Sequence, residues 1–76
     1  MPVIVTVLSK PSCVQCTATE RALTKQGTKY TKIDMTEDPA ALELAKSLGY
    51  MAAPVVIVGE EHWSGFRPER IAALAA

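Results

Sequence analysis

The sequence predicts an α/β fold in which a four-stranded mixed sheet is flanked by three helices, in the order βαβ–α–ββ–α. Three observations carry this. A β-branched apolar run, Val3–Leu8, contains no charge and suits a strand buried on both faces of a sheet. Two stretches with helical spacing each end on a single glycine, Gly27 and Gly49. A second apolar run, Val55–Val58, turns through Gly59-Glu60 into a short strand over Glu61–Trp63. Strand, helix and strand at the front imply a parallel pair, and the hairpin adds two antiparallel strands.

The elements follow in order. Lys10-Pro11-Ser12 ends the first strand. From Cys13 to Gln26 there is no Gly or Pro, and Cys16, Thr19, Leu23 and Gln26 recur at helical spacing, with Lys25 in the last turn. Lys29–Met35 reads as a strand at a sheet edge, where its two lysines discourage pairing with other chains. Asp38 followed by Pro39 marks a helix start: an acceptor side chain at the cap, then a residue whose missing N–H is not needed. Ala41, Leu42, Ala45 and Leu48 form that helix's apolar stripe. Pro68 opens the last helix, which carries Ile71 and Leu74 inward.

A chain of 76 residues accommodates one domain, read here as residues 1–76. Hydrophobic residues make up 49% and the formal net charge is zero, a composition that excludes disorder. No apolar run approaches the ~20 residues of a membrane-spanning helix. The absence of a basic excess argues against a nucleic-acid partner. No basic segment precedes Val3–Leu8, and Lys10 follows it, so the reading is cytoplasmic rather than secreted. The charge is nevertheless uneven. Residues 1–33 set five basic side chains against Glu20 alone, and residues 34–76 set seven acids against Lys46, Arg67 and Arg70. This suits an ordinary solvated surface or a modest steering field for partners.

The two cysteines form Cys13-Val14-Gln15-Cys16, at the end of a strand and the start of a helix. A C-x-x-C beside a βαβ pattern reads as a redox site of the thioredoxin type. Helical geometry sets such residues about 5 Å apart, within the roughly 4.4–6.8 Å that a disulfide tolerates. Two other readings stand beside it. A structural staple would close only a four-residue loop, worth about 2 kcal/mol in the chain-entropy model, and a reducing cytosol opposes it. A zinc site would be two ligands short, since His62 is the single histidine. In the redox reading Cys13 is the attacking thiol. The helix N-terminus and Lys10, three residues earlier, favour its thiolate, and Cys16, one turn in, is the more buried resolving thiol.

Lys10-Pro11-Ser12-Cys13-Val14-Gln15-Cys16, Ala52-Ala53-Pro54 and Trp63-Ser64-Gly65-Phe66-Arg67-Pro68 together resemble the glutaredoxin-like NrdH-redoxins over nearly the whole chain. The resemblance implies a thioredoxin/glutaredoxin-like fold and a bacterial protein that carries electrons as a reversible Cys13–Cys16 disulfide, with no bound cofactor. It implies two partners, the large subunit of class Ib ribonucleotide reductase as acceptor and a flavin-containing thioredoxin reductase, fed by NADPH, as donor. It also implies active-site tuning by Lys10, Val14 and Gln15, and a cis peptide at Ala53–Pro54 that turns Ala53 toward an incoming peptide. Trp63, Ser64, Gly65, Phe66 and Arg67 would form a partner-facing segment, with Arg67 fixing the loop. Trp63 and Phe66 equally suit ordinary core packing. Leu8 stands where members of the group usually have tyrosine, which puts any role of that hydroxyl in doubt.

Other functions compete. A glutathione-dependent glutaredoxin would keep Cys13 but needs polar contacts. Here Ala52 and Ala53 replace the more usual Thr-Val, and no acid follows Ser64 until Glu69, so glutathione binding is expected to be weak or absent. A Cu(I) chaperone places C-x-x-C after its first strand, but commonly with methionine where this chain has Pro11, and without a helix at Asp38–Leu48. A bridging iron–sulfur cluster would lack a four-cysteine set. The expected state is a monomer without metal.

Overall fold

The computed structural model describes residues 4–75. Seven elements follow one another: β1 (Val5–Ser9), α1 (Val14–Lys25), β2 (Thr31–Asp34), α2 (Pro39–Ser47), β3 (Val55–Val58), β4 (Glu61–Ser64) and α3 (Pro68–Ala73). The sheet order is β2-β1-β3-β4. The β1–β2 pair is parallel, and β1–β3 and β3–β4 are antiparallel. This is the mixed sheet with three helices expected from the sequence.

Strand alternation sorts the core into two layers. Val5 and Val7 of β1 point to one face, where they pack with Leu23 of α1, Ile71 of α3, and Val56, Val58 and Trp63. Leu8 and Val55 point to the other face and meet Met35, Ala41 and Ala45 under α2. Val7, Leu8, Val55 and Val56 are wholly buried, as the central strands of a covered sheet require.

Both long helices end as their glycines predict. At the end of α1 the Thr28 N–H donates to the Leu23 carbonyl (2.9 Å) and the Gly27 N–H to that of Thr24 (3.1 Å). At the end of α2 the corresponding bonds run from Tyr50 to Ala45 (3.0 Å) and from Gly49 to Lys46 (2.9 Å). Both are the paired bonds of a Schellman closure. Asp38 caps α2, its Oδ1 accepting from the Ala40 and Ala41 N–H groups at 3.0 and 3.3 Å.

Several details differ from the sequence reading. The first strand runs from Val5 to Ser9 rather than from Val3 to Leu8; Val3 lies outside the described residues, and Ile4 is 77% exposed. The edge strand is shorter at both ends than Lys29–Met35, spanning Thr31–Asp34, and Met35 just beyond it packs in the layer under α2. Leu42 is 41% exposed, and the small side chains of Ala41 and Ala45 carry the contact of α2 with the sheet. The last strand extends to Ser64, which lies opposite Val55 in the ladder.

Candidate active site

The C-terminal end of β1 leads into a turn at Pro11-Ser12 and then into α1. Ser12 has φ 56°, in the left-handed region, and this reverses the chain between strand and helix. Cys13 is the N-cap of α1, and its Sγ accepts the Cys16 N–H at 3.1 Å. The sulfur thus takes the place of the usual capping oxygen and meets one of the unpaired amides of the helix start. Thr17 Oγ1 donates to the Cys13 carbonyl at 3.2 Å.

Cys13 and Cys16 are disulfide-bonded, with their Cα atoms 5.2 Å apart, as the spacing predicted. Cys16 is 2% exposed, whereas Cys13 is half-buried. Cys13 can therefore be approached from solvent, whereas Cys16 is enclosed by the protein.

Gln15 connects the cysteine motif to the other end of the chain. Its Oε1 accepts the Phe66 N–H at 3.3 Å. Gly65, with φ 86°, donates its own N–H to the Pro54 carbonyl at 2.9 Å. Ser64 Oγ donates to the Ala52 carbonyl at 3.1 Å. Three separate stretches, residues 13–16, 52–54 and 64–66, are thereby hydrogen-bonded into one surface. The Ala53–Pro54 peptide is cis.

Not every expected site residue joins this surface. Val14 does, 84% exposed, and so does Phe66, 38% exposed, whose N–H is held by Gln15. Trp63 does not: it is 5% exposed and packs in the α1/α3 layer, with the Arg70 guanidinium 5.4 Å from the ring centroid. The alternation of β4 decides this, since Trp63 lies opposite Val56 and shares its inward face. Arg67 reaches only the Ser64 carbonyl, at 3.5 Å from Nε. Lys10 is exposed and lines an open depression beside the cysteines, together with Thr17, Glu20 and Lys32.

Several residues near the site carry no motif of their own. Glu20 and Lys32 form an ion pair at 3.4 Å on the rim of that depression. Thr17 is a first-turn hydroxyl that any helix tolerates, so its bond to Cys13 is invisible in sequence. Met51, directly before Ala52, is 89% exposed, which nothing in the sequence signalled. Among the described residues no group of three or more His, Cys, Asp or Glu side chains is placed to hold a metal ion. No described helix is long and apolar enough to cross a membrane.

Residues 5–63 match the Glutaredoxin family. The glutaredoxin-like protein NrdH of Escherichia coli K12 is 40% identical over 67 residues, which cover 88% of this chain and 83% of that protein. This chain belongs to the NrdH-type glutaredoxin-like proteins. The NrdH protein of Lactococcus lactis subsp. cremoris is 36% identical over 72 residues, covering 95% of this chain and all of the relative. Among solved structures, E. coli NrdH-redoxin superposes with a TM-score of 0.90 at 39% identity, over 93% of each chain. That protein is described as glutaredoxin-like with a thioredoxin-like activity profile. The NrdH-type chain is accordingly a thiol redox protein with a disulfide-forming cysteine pair on a thioredoxin/glutaredoxin fold.

Proposed function

We propose that this protein is a dithiol electron carrier that reduces class Ib ribonucleotide reductase and is itself reduced by thioredoxin reductase. The observation that carries the reading is the asymmetry of the cysteine pair: Cys13 is accessible and sits at the helix N-terminus, and Cys16 is buried one turn inside. The thioredoxin-like activity profile described for the E. coli relative points the same way.

In the reduced protein the Cys13 thiolate, favoured by the Cys16 N–H and the helix start, attacks one sulfur of the partner's disulfide. The partner's other sulfur leaves with the electron pair and takes up a proton. The Cys16 thiolate then attacks Cys13 Sγ in the mixed disulfide, expels the partner's remaining thiolate and closes the Cys13–Cys16 bond. Two electrons pass to the partner, and the carrier becomes a disulfide for thioredoxin reductase to reopen with electrons from NADPH. Lys10 adds positive charge near Cys13, and Gln15 positions the loop carrying Phe66. The protein acts in the cytoplasm as a single-domain monomer.

The alanines at 52 and 53 and the apolar Phe66 leave few side-chain donors and acceptors to hold a tripeptide thiol such as glutathione. A comparison of electron donors tests the assignment, with purified class Ib ribonucleotide reductase as the acceptor. Turnover is expected with NADPH and thioredoxin reductase. Efficient turnover with glutathione and its reductase alone overturns the reading.

A further inference from the structure

The loop that carries Ala53 and Pro54 also closes an apolar cavity that the thiol chemistry does not use. Its volume is about 60 Å³, and it is lined by Met35, Leu42, Lys46, Tyr50, Met51 and Ala52. The cavity exceeds the space one water needs, yet its lining is almost wholly apolar, and such sites favour hydrocarbon over water. It is too small for a cofactor and of the size of a single aliphatic side chain.

One wall is rigid. The Schellman closure of α2 places Tyr50, and its hydroxyl is 2.8 Å from His62 Nδ1 with the two rings edge-on at 5.5 Å. The mouth is adaptable. Met51 is 89% exposed and Leu42 41% exposed, and a thioether chain readjusts easily around an incoming group. Lys46 stands at the rim. Among the described residues the one ion pair joins Glu20 and Lys32, so Lys46 lacks a partner even though Glu43 lies one turn earlier on its own helix.

We propose that this pocket holds an aliphatic side chain of the protein segment whose disulfide is reduced, while Lys46 pairs with an acidic side chain next to it. The inference rests on the dithiol reading above and gives its substrate a chemistry. The pocket adjoins Ala52, whose loop is bonded through Gly65 and Phe66 to the cysteine motif, so a segment engaged at Cys13 reaches it without leaving the surface. An apolar anchor with an adjacent carboxylate matches both the lining and the unpaired charge.

The test uses the dithiothreitol-reduced, desalted protein and synthetic disulfide-bridged peptides with amidated C-termini. Beside the disulfide these carry Leu-Glu, Leu-Lys or Ser-Glu, and the second-order rate of peptide reduction is measured by acid quench and mass spectrometry. Leu-Glu is expected to react about tenfold faster than Ser-Glu, the scale on which an apolar pocket discriminates. It is expected to react up to about fivefold faster than Leu-Lys, the scale of an exposed ion pair. Lys46→Glu should reverse the order of Leu-Glu and Leu-Lys, and Lys46→Gln should erase the difference between them. A lysine that served only the dipole of α2 would shift the melting temperature without changing either order. Equal rates for the three peptides, or an unchanged order in both variants, overturn the pocket. Reduction of the small aromatic disulfide DTNB by the unaltered protein separates the two levels. If DTNB is reduced but the peptides are not distinguished, the pocket alone falls; if DTNB is not reduced, the dithiol reading falls with it.

Discussion

At the end of the sheet where β1 stops, hydrogen bonds join segments far apart in sequence, Gln15 to Phe66, Gly65 to Pro54 and Ser64 to Ala52. At the opposite end α1 turns into β2 through bonds between near neighbours, Gly27 to Thr24 and Thr28 to Leu23, and a long-range bond among the described residues runs there from Gln26 Nε2 to the Ile71 carbonyl at 2.7 Å. Both ends sit on the same sheet and both use a glycine with positive φ. The difference shows how a small fold divides its tasks. The locally closed end secures the chain path, and the end closed at long range sets the relative positions of a reactive sulfur, a proline loop and an apolar rim.

Removing a sulfur tests the long-range end most severely. Cys13→Ser is expected to abolish reduction of a protein disulfide, and Cys16→Ser to accumulate a mixed disulfide visible on non-reducing gels and by mass. Neither should unfold the protein. The disulfide closes a loop of only four residues, worth about 2 kcal/mol in the chain-entropy model, and the two core layers remain intact. A Cys16→Ser form that still turns over protein disulfides at the full rate without added thiol would show that Cys16 does not resolve the intermediate.

The two glycines allow a finer comparison. Gly27 has φ 79° and Gly65 has φ 86°, conformations that cost an alanine about 1–2 kcal/mol. Gly27→Ala and Gly65→Ala should therefore destabilise the protein similarly in urea titrations. Only at Gly65 does the added Cβ meet a site residue, Gln15 Oε1 at 3.4 Å. As the loop relaxes, the bonds to Pro54 and Gln15 lengthen, and the rate of protein-disulfide reduction should fall severalfold. Gly27→Ala should leave that rate unchanged. Equal rates in both variants would mean that the long-range bonds do not position the reacting groups.

The same division decides what could be read from the sequence. Local chemistry was legible. Asp38-Pro39 caps α2, Gly27 and Gly49 close their helices, and the Cys13–Cys16 spacing gives a bridgeable pair, because each is settled within a few residues. The edge place of β2 and the antiparallel hairpin of β3 and β4 were legible as well, whereas the pairing of β1 with β3 emerged only in the fold. Contacts across 51 residues, such as Gln15 to Phe66, leave no periodic trace and emerged only in the fold. Leu42 misled because a helical stripe is broad. Ala41 and Ala45 suffice to seat α2 on the sheet, which leaves a leucine at the margin free to border the cavity. For Trp63 the sequence left core packing and a partner-facing role open, and its place opposite Val56 in the ladder decides for the core.

The smallest expected effect concerns Asp34, at the end of β2 and opposite Ser9 in the parallel ladder. Its Oδ1 accepts from Thr36 Oγ1 at 2.6 Å and from the Thr36 N–H at 2.8 Å. These two bonds, the hydroxyl first, hold its carboxyl below the ordinary value of 3.8, with slight help from Lys32 and slight opposition from desolvation. Because the folded pKa is the lower one, the unfolded chain takes up the proton first as the solution is acidified. The stabilisation is therefore complete above about 3.8 and disappears as pH falls through the folded value. In Asp34→Asn the amide oxygen can still accept, but without charge. The variant should be slightly less stable than the parent near neutrality, and the gap should close in acid. Unfolding titrations from about pH 7 to pH 2 would show this, and a gap of constant size would mean that the turn geometry, and not the carboxylate charge, holds this local turn at the long-range end of the sheet.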